Sequence, residues 1–284
     1  MGELRASNLV NRVYLFGQER PGELPEDCGF IPTDGKFSTH AIRKIADHSN
    51  GADYSLILTR ETGIHMGMLA LERFLEVASA TGAGMVYSDY FDLVDGKLSG
   101  HPVIDYQAGS LRDDFEFGPL LFYNSAALIQ AVAGIGESLE FAGLYQLRLK
   151  VSQQGLPWRI PEYLYSVEPE DVRASGKKMF DYVDPKNRAV QVEMEKAATT
   201  HLKELGAYLK PEFEAIQFEE GSFPVEASVI IPVLNREKTV ADAIESVMSQ
   251  ECDFAFNLIL VDNHSTDRTT SMVKEPVNRS LTSA

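Results

Sequence analysis

Ala227-Ser-Val-Ile-Ile-Pro-Val-Leu-Asn-Arg-Glu-Lys238 and Asn257-Leu-Ile-Leu-Val-Asp-Asn-His-Ser-Thr-Asp-Arg-Thr269 bracket a helical run that ends at Gln250. Val229 to Ile231 is a short β-branched run stopped by Pro232. Leu258 to Val261 is a second, stopped by Asp262 and Asn263, and such runs suit neighbouring buried strands of a parallel sheet. Between them Val240, Ala243, Ile244, Val247 and Met248 recur at spacings of three and four on one helical face. A strand–helix–strand crossover of this length is right-handed in nearly all cases, so both strands end on the same side of the sheet.

Ligands bind at that side of open α/β sheets. It is also where this unit gathers Asn235, Glu237, Asp262, Asn263, Ser265 and Asp267. A carboxylate beyond a strand end can accept hydrogen bonds from a base or a ribose. The same residues also suit structural work, with Asn235 or Thr239 capping the helix and Ser265-Thr-Asp opening the next one. Taken together, the stretch resembles the opening of family 2 glycosyltransferases, which have a GT-A fold. The resemblance implies that Pro232, Asn235, Glu237 and Asp262, with the adjacent Asn263, line the nucleotide pocket of a nucleotide-sugar donor. The family's metal-binding Asp-x-Asp and its catalytic carboxylate come well downstream of the position matching Asp267. Residues 227–284 are therefore expected to be the start of a second GT-A domain, truncated after its first nucleotide-binding unit, with a loose tail from Glu275.

The 26 basic and 42 acidic residues give a net charge of −16, which repels phosphate backbones and anionic lipid, so nucleic acid and membrane surfaces are poor partners. Cys28 and Cys252 lie far apart, which argues against a disulfide framework and fits a reducing cytoplasm. No transmembrane segment and no signal peptide are read in the sequence.

Residues 1–210 read as one domain, with an acidic linker over 211–226. Arg12 to Phe16, Tyr54 to Leu58, Gly84 to Tyr87 and Pro119 to Tyr123 are predicted strands. Phe37 to Asp47, Met66 to Ala80 and Ser125 to Val132 are predicted helices. The residues from Gly17 to Asp34 read as a loop, Asp171 to Lys178 as another, and the residues around Pro161 as short edge strands. Pro185 to Leu205 reads as a long helix covering the domain. This alternation predicts a doubly wound, mostly parallel α/β sheet.

A fainter resemblance to the middle of a GT-A domain begins at Asp53-Tyr-Ser-Leu-Ile-Leu-Thr-Arg-Glu-Thr62. Where the family has its metal-binding acids this chain has Thr59-Arg60-Glu61, and a cation inserted beside a single carboxylate weakens any Mg or Mn site. Gly134 to Leu149 resembles the stretch carrying the family's catalytic base, with Ala142-Gly143 at the acidic positions and Glu140 the nearest substitute. Asp89 at a strand end, and Arg112, Asp113 and Asp114 in a charged loop, are candidate ligand contacts. Each is equally suited to a turn or a local ion pair. Mg or Mn is implied for a complete enzyme. The leading expectation is transfer of a sugar from a nucleotide-sugar donor to a carbohydrate or other hydroxyl acceptor. The alternative is a non-catalytic GT-A-like module that binds a glycan or a protein partner beside an enzyme domain.

Overall fold

The computed structural model describes residues 2–33, 35, 37–168, 188–215 and 224–273. The chain divides into two compact units, 1–210 and 211–284. The expected Asp171–Lys178 loop, the start of the long helix at Pro185, part of the linker and the tail from Glu275 fall outside the described residues.

The first unit runs α1 (Gly2–Ala6), β1 (Val13–Gly17), β2 (Cys28–Pro32), α2 (Thr39–Ser49), β3 (Tyr54–Leu58), β4 (Ile64–Met66), α3 (Ala70–Thr81), β5 (Met85–Val94), β6 (Lys97–His101), β7 (Leu120–Asn124), α4 (Ser125–Ala133), α5 (Gly143–Ser152), β8 (Trp158–Val167) and α6 (Arg188–Glu204). Its main sheet has the order β3-β7-β5-β8-β4, with β6 paired to β5. Only β5 and β8 are parallel in it; β3–β7, β5–β7, β4–β8 and β5–β6 are antiparallel. The expected mostly parallel, doubly wound sheet is thus corrected to a mixed α/β sheet. Strand β7 inserts between β3 and β5 and runs against both, while β4 and β6 run against β8 and β5. Helix α3 packs against β5 and β8, and α4 against β3 and β7.

Several local readings change for identifiable reasons. The loop expected up to Asp34 contains β2, which pairs in parallel with β1 and sets Gly29 opposite Tyr14. A Cβ on Gly29 would lie 2.5 Å from the Tyr14 ring, so the residue that made this stretch look like a loop is the one that admits the ring. Helix α3 starts four residues later than expected and buries Ala70, Phe74 and Ala78, while Met68 is 95% exposed. The residues before it form β4, and Leu69 enters the helix with φ +59°. Strand β5 continues to Val94 and returns as β6 through Asp95-Gly96, both at positive φ, which is the backbone that a two-residue hairpin turn requires.

The residues on both sides of Pro161 form one strand, β8, which pairs with β5 along its length and with β4 only through Tyr165–Val167, so that at Pro161 it has a partner strand on one side. The register slips from Ser88↔Ile160 to Asp89↔Tyr163, so that Pro161, which has no N–H to give, falls in a bulge. Asp89 sits at this bulge, 3% exposed. Its carboxylate accepts from Arg159 Nε at 2.9 Å and Nη2 at 2.8 Å, and from the Val103 amide at 3.0 Å. Helix α6 packs on α5 rather than on the sheet, through Leu139, Ala142, Tyr145, Leu149 and Ala197.

The second unit pairs β9 (Ala227–Val233) in parallel with β10 (Phe256–Asp262), joined by α7 (Val240–Met248). Pro232 does not stop the first strand but lies within it. Strand β9 is at the edge of a two-stranded sheet, where a missing N–H is tolerated. Ile231, Val233, Leu258 and Leu260 cluster with Val240 and Ile244 of α7, while Ile230 and Ile259, paired across the strands, are 62% and 43% exposed on the other face. No described helix is long and apolar enough to cross a membrane.

Breaking the bulge pair from one side leaves a buried charge without its partner. Arg159→Met is expected to destabilise the first unit by about 3–5 kcal/mol. Replacing both partners, as in Asp89→Leu with Arg159→Met, is expected to recover part of that loss, limited by the Val103 amide. Urea denaturation followed by far-UV circular dichroism measures both, and a loss below about 1 kcal/mol for the single variant would show that the pair is dispensable.

Candidate functional site

In the second unit the loops that follow β9 and β10 meet at the C-terminal ends of the strands. Asn235 takes up φ +51°, a left-handed conformation that asparagine tolerates better than most residues. Its Oδ1 accepts from the Thr266 amide at 2.9 Å, and its own amide donates to Ser265 Oγ at 3.0 Å. The Glu237 amide donates to Asp267, and Glu237 Oε2 accepts from the Arg268 amide, both at 3.2 Å. Arg236 N–H donates to Thr269 Oγ1 at 2.7 Å, and the Asn263 amide to the Val233 carbonyl at 2.8 Å. Asp262, exposed at the end of β10, accepts from the Ser265 amide at 3.0 Å and from the Thr270 hydroxyl. Those hydrogen bonds hold the Asp262 carboxyl below its ordinary pKa, and Asp267 is lowered chiefly by its bond from Thr269.

The structure therefore brings Asn235, Glu237, Asp262 and Asn263 onto one rim. Pro232 lies slightly earlier, opposite Val261 in the strands. The rim's polar groups do two things at once. They cross-link the loops, with Asn235 bonded across to Thr266 rather than capping α7 and with no side-chain cap from Thr239, and they leave an ionised, solvent-facing Asp262 fixed in place. A carboxylate held this way accepts hydrogen bonds from a polar ligand with little loss of side-chain entropy.

The first unit is different. Thr59 ends β3 with its amide on the Pro119 carbonyl at 2.8 Å. Arg60 pairs with Glu116 at 2.7 Å, and Glu116 also accepts from the Gly118 amide. Burial would lower the Arg60 pKa, but Glu116 outweighs it and the net shift is upward. A divalent cation needs converging carboxylate oxygens; here a guanidinium with its own counterion stands between Thr59 and Glu61. The residues present do not fit the metal that the fainter resemblance implies. Among the described residues no group of three or more His, Cys, Asp or Glu side chains is placed to hold one. Asp89 is buried in the bulge, not offered to a ligand. Arg112 forms two 2.9 Å bonds to Asp114 on the exposed loop that also carries Asp113, which raises the arginine pKa and lowers that of Asp114.

The position of the expected base is closed by packing. A Cβ on Gly143 would lie 2.4 Å from backbone atoms of Ser38 and Thr39. Thr39 clamps the same turn: its hydroxyl donates to Gln146 at 2.6 Å and accepts from the Leu139 amide at 2.8 Å, while its amide donates to the Leu139 carbonyl at 2.8 Å. Ala142 is fully buried. Glu140 is exposed, and its amide and those of Phe141 and Ala142 donate to the Glu193 carboxylate of α6 at 3.0, 2.7 and 3.3 Å. Sequence reasoning missed Thr39 and Glu193. Thr39 follows Ser38, the N-cap of α2, and was available as a capping signal; Glu193 is a solvent-side residue of a helix, and its partners are set only by tertiary packing.

The rim of the second unit defines a strand–helix–strand module that presents polar acceptors at the ends of parallel strands. Residues 228–280 match the family model described as Glycosyl transferase family 2, and the matched segment lies within the second unit. No curated protein matches the chain.

Restoring an acid at the expected base position will not restore a base. Gly143→Asp is expected to destabilise the first unit by about 3 kcal/mol or more, because the clash is with backbone. Glu193→Ala, which strips the cap from three amides at the start of α5, is expected to cost about 1–2 kcal/mol. Thermal denaturation compares the two; a Gly143→Asp protein as stable as the parent would show that the turn can yield.

Proposed function

We propose that the second unit contributes the nucleotide end of a donor pocket of the family 2 type, serving transfer of a sugar from a nucleotide-sugar donor to a glycan or other hydroxyl acceptor. The observation that carries this reading is the rim itself: Asn235, Glu237, Asp262 and Asn263 converge at the C-terminal ends of parallel strands inside the segment matched to that family. Asp262 is the acceptor for a base or ribose, and Asn235 and Glu237 hold the two loops in register around it. Mg or Mn, when bound in such enzymes, screens the donor diphosphate. Among the described residues of the first unit no group of three or more His, Cys, Asp or Glu side chains is placed to hold it.

A second reading concerns the first unit alone, and two observations favour it. Direct displacement at an anomeric carbon needs a group to take the acceptor proton. The Gly143 position cannot carry one, and the Thr59-Arg60-Glu61 position pairs its cation with Glu116. We therefore assign the first unit an accessory role, binding or positioning, rather than the chemical step.

Titration of the protein with nucleoside diphosphates, followed by NMR at the Asn263 and Ser265 amides, tests the donor reading. The expected affinity is weak, with Kd on the order of 1 mM. Asp262→Ala is expected to weaken it by about 1–3 kcal/mol through loss of a charge-assisted hydrogen bond. Thr270→Val, which removes only a partner of Asp262, is expected to weaken it less. Shifts absent from both amides at saturating ligand, or unchanged in Asp262→Ala, would leave Asp262 a turn residue and end this reading.

A further inference from the structure

Helix α6 is fastened to α5 at two points of different chemistry. Toward its start Glu193 caps the amides of residues 140–142. Toward its end His201 is 6% exposed. Gln153 Nε2 reaches both His201 Nδ1 at 3.0 Å and Glu204 Oε2 at 2.8 Å. An amide nitrogen has two hydrogens, and this one gives one to each partner. His201 Nδ1 is then an acceptor, and the ring is neutral with its proton on Nε2. Glu204 fixes the arrangement, because turning the amide to offer its oxygen to a protonated Nδ1 would set that oxygen against the carboxylate.

The charged groups around His201 are Arg148 and Lys150 from α5, Glu204 from α6, and Glu137 from the loop before α5. Lys150 binds Glu204 at 2.6 Å and Lys196 binds Glu137 at 3.2 Å, so both carboxylates already have cations. Burial holds the His201 pKa below its ordinary value; Glu204 opposes this, while Arg148 and Lys150 reinforce it.

We propose that α6 is an acid-released latch, pinned to α5 by the neutral imidazole of His201 and freed when Nδ1 takes a proton. Protonation replaces an accepted hydrogen bond with two opposed donors and places a cation in a buried site beside Arg148 and Lys150. A histidine whose folded pKa is depressed favours the docked state above its unfolded pKa, and that advantage is lost as pH falls from there toward the folded value. The latch therefore holds at neutral pH and loosens under mild acid. This inference does not depend on the donor reading.

Hydrogen exchange of the α6 amides, corrected for the intrinsic pH dependence of exchange, tests it across about pH 8 to pH 5. Protection over 194–204 is expected to fall roughly tenfold for each unit that the His201 pKa is depressed. His201→Gln, which keeps an acceptor and cannot charge, is expected to flatten the response. Gln153→Glu, which offers the protonated ring an acceptor, is expected to weaken or reverse it, and serves if His201→Gln fails to dock. A parent protein with flat protection, or variants that both keep the parent's acid response, would overturn the proposal.

Discussion

A proline within the strand that joins β5 to β4 is the constraint around which the sheet of the first unit is arranged. Strand β8 pairs with β5 along its length and with β4 beyond Leu164, yet Pro161 cannot give a ladder hydrogen bond. The sheet absorbs this with the bulge at Ser88–Asp89, and the bulge is held by a buried carboxylate shared between Arg159 and the Val103 amide. Beyond it the strands resume pairing, and Tyr90 stacks between Tyr165 at 5.4 Å and His101 at 4.3 Å. Burial raises the Tyr90 pKa to about 12, so the column of rings is uncharged at its centre.

On the helical side, closeness of backbones plays the corresponding part. Gly143 lets the start of α5 press against the start of α2, Thr39 ties the contact with three hydrogen bonds, and Glu193 closes the amides that remain. Helices α2, α4, α5 and α6 then form a continuous layer in which every contact runs through α5 or α4. The expected catalytic position, Gly143, lies where the start of α5 meets the start of α2. It lacks a carboxylate because the space for one is occupied by main chain.

The second unit was the more legible in sequence, because its signal is local: two β-branched runs, one amphipathic helix between them, and polar residues clustered after each strand. Four of the five residues read as donor contacts do share a rim. What sequence could not show is that Asn235 and Glu237 also spend acceptors on the loop after β10, since those bonds join residues about thirty apart, whereas Asp262 accepts from Ser265 and Thr270 of its own loop. In the first unit the strands Tyr54–Leu58 and Leu120–Asn124 were legible as apolar runs. Pairing direction was not, because it depends on which strand inserts where. Asp95-Gly96, flanked by Leu93-Val94 and Lys97-Leu98, was a usable hairpin signal that would have found β6. Gly29 and Pro161 misled for one reason: residues that usually interrupt strands lie here inside them, each compensated by a neighbour distant in sequence.

The alternating exposure of β9 and β10 carries a colloidal consequence. Ile230 and Ile259 form an apolar patch on a sheet that has two strands among the described residues, the type of surface that invites strand-to-strand self-association. Opposing it is the net charge of −16, a repulsion that acts over about 8 Å at physiological ionic strength and shrinks as salt is added. The dispersed state of this protein is therefore set by a contest between a short-range apolar attraction, which salt leaves intact, and a longer-range electrostatic repulsion, which salt erases.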